Sequence, residues 1–145
     1  MLFAHLLIAT DGSELAAKAE TTGLCLAKRM GAHVSVVTAT EPWSAMTIGD
    51  PSAFDFPIED FEKAAACRAR EILARVSEAA AQFQVSCETL HVVDFPAEAI
   101  IKAAEARACD LIVMASHGRR GLKGMLGSQA QRVVTLSAMP ILICR

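Results

Sequence analysis

Leu6-Leu7-Ile8-Ala9 is apolar at every position and stops at Thr10-Asp11-Gly12-Ser13. A short run that is apolar on both alternating faces and closed by turn formers predicts a strand buried on both sides, as in a parallel sheet covered by helices. Ser13, or Asp11 two residues earlier, then supplies the oxygen that caps a helix N-terminus. Leu15, Ala19, Thr22, Leu26 and Met30 recur at spacings of three and four and draw one helical face, and Gly31 stands where a helix of that length should stop. The β-branched run Val34–Ala39 predicts a second strand.

The stretch from Glu41 to Pro57 holds Pro42, Pro51, Pro57 and Gly49, which suit neither a helix interior nor a central strand, and it reads as a long surface loop. From Ile58 to about Phe83 the Ala/Glu/Arg/Lys content is helical, with Phe61, Ala65, Ile72, Val76, Ala79 and Phe83 as the apolar face. Val85–Val93 is a third strand, and Pro96 opens a helix running to Ala108 with Ile100, Ile101 and Ala104 turned inward. Leu111–Ala115 is a fourth, fully apolar strand. After a glycine-rich stretch, Ser128–Ser137 reads as a helix and Pro140–Cys144 as a fifth strand. Strands alternating with helices call for an open parallel sheet covered on both faces, and nothing along residues 1–145 marks a linker or repeat, so one α/β domain is expected.

Composition narrows the function classes. A net charge of −2 gives no general attraction for phosphate backbones, which argues against a nucleic-acid partner, and 53% hydrophobic content excludes disorder. No apolar run approaches the roughly 20 residues of a membrane span, so no membrane partner is expected. Met1–Ala9 lacks the basic start of a leader, and Asp11 follows too soon for one. The five cysteines, Cys25, Cys67, Cys87, Cys109 and Cys144, form no C-x-x-C pair and read as mostly buried free thiols, so a soluble cytoplasmic protein is expected.

The candidate chemistry lies just past two strand ends. In open α/β sheets, ligands bind outside the carboxyl ends of the strands where strand order reverses. Thr10-Asp11-Gly12-Ser13 and Ser116-His117-Gly118-Arg119-Arg120-Gly121 occupy such places, and the second continues through Lys123 and Gly124 to Gly127-Ser128 at a helix start. Glycines let the backbone approach an anion, helix N-terminal N–H groups hold it, and Arg119, Arg120 and Lys123 add positive charge. Asp11 across the crevice can accept from ribose hydroxyls or help hold Mg²⁺. The spacing is neither a Walker A loop nor a G-x-G-x-x-G fingerprint, so a phosphate cradle and a plain surface loop both stay open on spacing alone. His117 has no nucleophile or carboxylate at fixed spacing and reads as a lining residue. Trp43 either packs over a base or anchors its loop. His5, His33 and His91 read as strand-edge residues without convergent partners, Asp110 as a solvated turn residue, and Asp94 as a turn former before Pro96.

Taken together, Leu7-Ile8-Ala9-Thr10-Asp11-Gly12-Ser13-Glu14, Met114-Ala115-Ser116-His117-Gly118-Arg119-Arg120-Gly121, and Gly127-Ser128 followed by Pro140-Ile141-Leu142-Ile143 resemble the single-domain universal stress protein family along essentially the whole chain. The resemblance implies an adenine nucleotide alpha hydrolase-like fold: a five-stranded parallel sheet of order 3-2-1-4-5 with helices on both faces. It also implies a homodimer through the last strand, Ile141–Ile143. In the nucleotide-binding branch, ATP lies between the first and fourth strands, held by a pattern G-x2-G-x9-G-[S/T]. Gly118, Gly127 and Ser128 match that pattern. Ala115 replaces its first glycine, and eight residues rather than nine separate Gly118 from Gly127.

By the same resemblance Asp11 is the ribose- and metal-associated acid, through which Mg²⁺ would reach the nucleotide, flanked by Ala9 and Thr10. Ala39 meets adenine through its backbone, and Met114, Ser116, His117 and Arg119 line the stretch. Gln129 offers its backbone N–H to a phosphate. The implied function is an ATP-binding (or ADP- or AMP-binding) stress-response protein that acts through nucleotide-dependent conformation or partner binding. A nucleotide-free dimeric interaction protein of the same fold and a slow ATP hydrolase are the alternatives.

Overall fold

The computed structural model describes residues 2–43, 57–117 and 126–145. The elements are β1 (His5–Ala9), α1 (Glu14–Met30), β2 (His33–Thr40), α2 (Ile58–Phe83), β3 (Cys87–Val93), α3 (Pro96–Ala106), β4 (Leu111–Ala115), α4 (Ser128–Leu136) and β5 (Ile141–Cys144). All pairings are parallel, in the order β3-β2-β1-β4-β5, with Ile8 beside both Val36 and Val113. The 3-2-1-4-5 sheet is the expected one. The part of the 41–57 segment from 44 to 56 lies outside the described residues. Among the described residues no helix is long and apolar enough to cross a membrane.

The continuous apolar strands are explained by two cores, one on each face. Leu6, Ile8, Val34, Val36, Leu111 and Val113 meet α1 and α2 through Ala19, Leu24, Ala27, Leu73, Val76 and Ala80. Leu7, Ala9, Val37, Ile112 and Met114 meet α3 and α4 through Ala97, Ile100, Ala103, Ala104, Ala130 and Val133. Alternation along each strand thus feeds both layers.

Of the α1 face drawn by the spacing of Leu15, Ala19, Thr22, Leu26 and Met30, only Ala19 is buried. Ala16, Ala19, Glu20, Gly23, Leu24 and Ala27 are buried, while Thr22 is exposed and Leu15, Leu26 and Met30 are only half-buried. The reason is close approach: a Cβ on Gly23 would stand 2.6 Å from Ile8 Cδ1, so small residues bring the helix onto β1 and the larger ones flank it.

Three helices hand over to the next strand through one turn design. After α1, Ala32 donates to Ala27 O and Gly31 to Lys28 O; after α2, Val85 donates to Ala80 O and Gln84 to Ala81 O; after α3, Cys109 donates to Ala104 O and Ala108 to Glu105 O. These are Schellman turns, with Gly31, Gln84 and Ala108 at φ 65°, 59° and 53°. The turn after α2 consumes Val85 and Ser86, so β3 starts two residues later than expected.

At the amino ends of the strands the polar residues are more connected than their spacing suggested. Asp110 is a staple, its carboxylate accepting from the N–H groups of Ala4 (2.8 Å) and His5 (3.1 Å). His5 lies buried on central β1, not at an edge, with its Nε2 2.8 Å from Ser35 Oγ and its ring against His33. Ser35 donates to Glu88, and Arg107 pairs with the same carboxylate. Burial, with His33 beside it, holds the His5 imidazole below its ordinary value.

Cys109 is buried, whereas Cys25 and Cys67 are exposed and Cys87 and Cys144 intermediate, so burial is not the common state of these free thiols. Polar neighbours on α1 and α2 leave Cys25 and Cys67 on outward helix faces.

Candidate functional site

The chain leaves β1 toward β2 and β3, then returns to place β4 on the other side of β1. The crevice between the two directions opens at the carboxyl ends of the strands. A cleft of 480 Å³ lies there. Ala9, Thr10 and Asp11 form its centre; Met114, Ala115 and His117 come from the end of β4; Gly127, Ser128, Gln129 and Ala130 from the entry to α4; and Ala39 from β2. Val37, Glu41, Pro96, Ile100 and Ala16 complete the wall.

The turn after β1 is held by nested hydrogen bonds. Gly12 N–H donates to Thr10 Oγ1 at 3.1 Å, and Ser13 N–H donates to Asp11 Oδ1 at 2.9 Å. Ser13 is the helix cap, its Oγ accepting from Ala16 N–H. Asp11 therefore shapes the turn rather than capping the helix, and its carboxylate stands at the cleft wall.

On the far side, Gly127 N–H donates to Ser116 O at 2.7 Å, which ties the start of α4 to the end of β4. A Cβ at Gly127 would lie 3.0 Å from His117 Cβ and 3.1 Å from His117 Cα, so only glycine lets the two segments meet this closely. Gly127, the N-cap of α4, supplies no side-chain cap. Its first N–H groups, on Ser128, Gln129 and Ala130, have no preceding helical carbonyl to pair with, and these residues line the cleft. Gln129 Oε1 accepts from Ala97 N–H at 3.1 Å, and Arg132 pairs with Glu98, so α4 and α3 are locked together around the cleft.

Three kinds of surface thus follow one another across the sheet. Val37, Ala39, Pro96 and Ile100 make an apolar wall on the β2 and α3 side. Asp11 offers a carboxylate in the middle, and the electropositive start of α4 closes the β4 side. The arrangement suits a molecule with a flat apolar end, hydroxyls in the middle and an anionic end.

Of the residues expected from sequence, Ala9, Thr10, Asp11, Ala39, Met114, Ala115, His117, Gly127, Ser128 and Gln129 come together at this cleft. Ser116 stands behind the wall, buried, with its Oγ 3.2 Å from His117 Nδ1. Gly118, Arg119, Arg120, Gly121, Lys123 and Gly124 lie outside the described residues. Trp43 packs on Phe61 of α2, with ring centroids 4.9 Å apart. Sequence reasoning missed Val37, Glu41, Pro96, Ile100, Ala16 and Ala130. For Pro96 and Ile100 a signal existed: they open the helix that packs on the face where Ala39 ends its strand. Among the described residues, no group of three or more His, Cys, Asp or Glu side chains could hold a metal ion.

The model of the universal stress protein family matches residues 3–145. Universal stress protein YxiE of Bacillus subtilis is 34% identical over 99% of this chain and 100% of its own length. Among solved structures, the universal stress protein UspA of Lactobacillus plantarum superposes with a TM-score of 0.86 at 20% identity, covering 100% of this chain and 99% of that one. A universal stress protein in complex with cAMP gives 0.76 at 22% identity, covering 100% and 99%. The Archaeoglobus fulgidus family structure in complex with dAMP gives 0.70 at 20% identity, covering all of both chains. At these identities the structures establish a shared fold.

Proposed function

The chain belongs to the universal stress protein family, and from that premise we propose that its cleft binds an adenine nucleotide, ATP foremost, with ADP and AMP as alternative occupants. The whole chain acts as one domain in which occupancy biases conformation or partner choice during a stress response. One observation carries this reading: Asp11 and the N-terminal start of α4 face one cleft at the reversal of strand order, with an apolar wall beyond. Adenine lies against Val37, Ala39, Pro96 and Ile100, the ribose hydroxyls meet Asp11, and the phosphates reach the N–H groups of Ser128 and Gln129. Relatives of this fold held in complex with cAMP and dAMP support the ligand class.

Asp11 is the residue that would hold a Mg²⁺ ion accompanying the phosphates, and an ion there would neutralise phosphate charge. The protein works in the cytoplasm as a homodimer through the edge strand β5. Ile141–Ile143 are only half-buried, and nearby Val134 and Leu136 on α4 are 48% and 56% exposed.

Mass analysis of small molecules released on denaturing the purified protein tests the reading. Recovery of an adenine nucleotide, or saturable ATP binding by emptied protein, is the expected result; neither ligand nor saturable binding overturns it. The second reading, a nucleotide-free dimeric interaction protein, is favoured by the eight-residue interval between Gly118 and Gly127. It predicts no binding until one residue is restored to that interval.

A further inference from the structure

Glu20 is the one carboxylate on the buried face of α1, among Ala16, Ala19, Gly23, Leu24 and Ala27. A buried carboxylate is costly to desolvate, and an apolar residue at such a place is often neutral or stabilising, so its presence calls for a role. Its Oε1 accepts from Thr10 Oγ1 at 2.5 Å and from Arg75 Nη2 of α2 at 3.1 Å. Thr10 is buried in the cleft floor, and its hydroxyl proton, committed to Glu20, leaves the oxygen's lone pairs to accept Gly12 N–H. Donation therefore converges on Glu20, from Arg75 on one side and from Gly12 through the Thr10 hydroxyl on the other, which ties the carboxylate to the turn that presents Asp11.

We propose that Glu20 is the positioning residue of the cleft: clamped by Arg75, it orients the Thr10 hydroxyl and so fixes the Thr10–Ser13 turn in the geometry that receives a ligand's hydroxyls at Asp11. This deepens the nucleotide-binding reading and rests on it for the ligand. It also makes α2, which lines none of the cleft, part of the site's support. Because coupling is reciprocal, a ligand at Asp11 tightens the Arg75–Glu20 clamp.

The test compares Thr10→Val, Glu20→Leu, their double variant, and Arg75→Ala, a change at a side chain 50% exposed that leaves the fold intact. ATP affinity is measured by calorimetry, stability by urea unfolding, and exchange of the Gly12 amide by NMR on nucleotide-free protein. Each buried single variant weakens ATP by about tenfold, the worth of a lost buried hydrogen bond, and Arg75→Ala by less. The double variant is no weaker than either single and regains stability, since neither the Thr10 hydroxyl nor the Glu20 carboxylate is left buried without the other.

Thr10→Ser restores binding relative to Thr10→Val, as does Glu20→Gln relative to Glu20→Leu, because each keeps the needed oxygen. Gly12 exchange is faster in both buried single variants. Loss of stability with wild-type ATP affinity and unchanged Gly12 exchange would overturn the positioning role. If the wild-type protein itself fails to bind ATP, the nucleotide reading falls. Gly12 exchange then decides separately whether Glu20 fixes the turn: faster exchange upholds it, and unchanged exchange removes it.

Discussion

Gly127 donates its N–H to the Ser116 carbonyl at 2.7 Å while its Cα faces His117 so closely that a methyl group there would sit 3.0 Å from His117 Cβ. The entry of α4 and the end of β4 are therefore fitted at one point of backbone contact. Gly127→Ala must push them apart by several tenths of an ångström. The expected cost is about 1–3 kcal/mol, the usual range for overpacking. Urea unfolding checks it, with weakened ligand binding in the same variant; unchanged values for both would show that the contact yields freely.

Ala108 and Gln84 hold the left-handed conformation that glycine holds at Gly31. Ala108 is exposed, so its side chain contributes little packing to offset the strain. Ala108→Gly should therefore stabilise the protein by about 1 kcal/mol, and Gly31→Ala should destabilise it by about the same amount. Denaturation midpoints moving in opposite directions check the pair; a lower midpoint for Ala108→Gly counts against it.

The acid limb of stability should carry a histidine signature. Burial, with His33 next, lowers the His5 value, and burial lowers His91. Between each folded value and the ordinary one near 6.5, the unfolded chain binds more protons than the folded one, so stability rises with pH there. The contribution is complete above about pH 6.5 and is lost as pH falls through the folded values. Glu88, held low first by the Ser35 hydroxyl, acts with the same sign in the lower carboxylate range. Unfolding at about pH 7.5 and about pH 5.5 should show a drop that is smaller in His5→Gln. An equal drop in both proteins would remove His5 from the account.

Burial, with Asp110 next, pushes the Cys109 thiol up to about 11, and the side chain is out of reach of solvent. Cys25 and Cys67 are exposed. An alkylating reagent at neutral pH should label Cys25 and Cys67 in the native protein and Cys109 only on unfolding, as read by peptide mass. Native labelling of Cys109 at the rate of Cys67 would contradict the buried assignment.

The strands were legible because parallel strands buried on both sides need apolar residues at consecutive positions, as in Leu6–Ala9 and Leu111–Ala115. The turn at Asp11 and the helix start at Gly127-Ser128 were legible through short motifs at strand ends, whereas the contact of Gly127 with the end of β4 was not. What escaped was whatever depends on distance of approach. The spacing of three and four draws the α1 face through Leu15, Ala19, Thr22, Leu26 and Met30, of which only Ala19 is buried, whereas Gly23 against Ile8 shows that smallness selects the contact. Glu20 was invisible for the same reason, since a carboxylate in a helical repeat looks solvated until the helix lies against the sheet. The His5, Ser35 and Glu88 connection joins three strands separated by long crossovers, and no local spacing encodes it. The walls supplied by Val37 and Ile100 read simply as core, which they also are.

The proposed site for an adenine nucleotide is the cleft between Asp11 and the start of α4. Calorimetric titration of emptied protein with ATP in the presence of Mg²⁺, run beside Asp11→Ala, is its test. Saturable binding at one site per chain is expected, weakened by at least about tenfold in Asp11→Ala, the loss that follows removal of a charged hydrogen-bonding partner. Absence of saturable binding in the wild-type protein, or equal affinity in the two proteins, would contradict it.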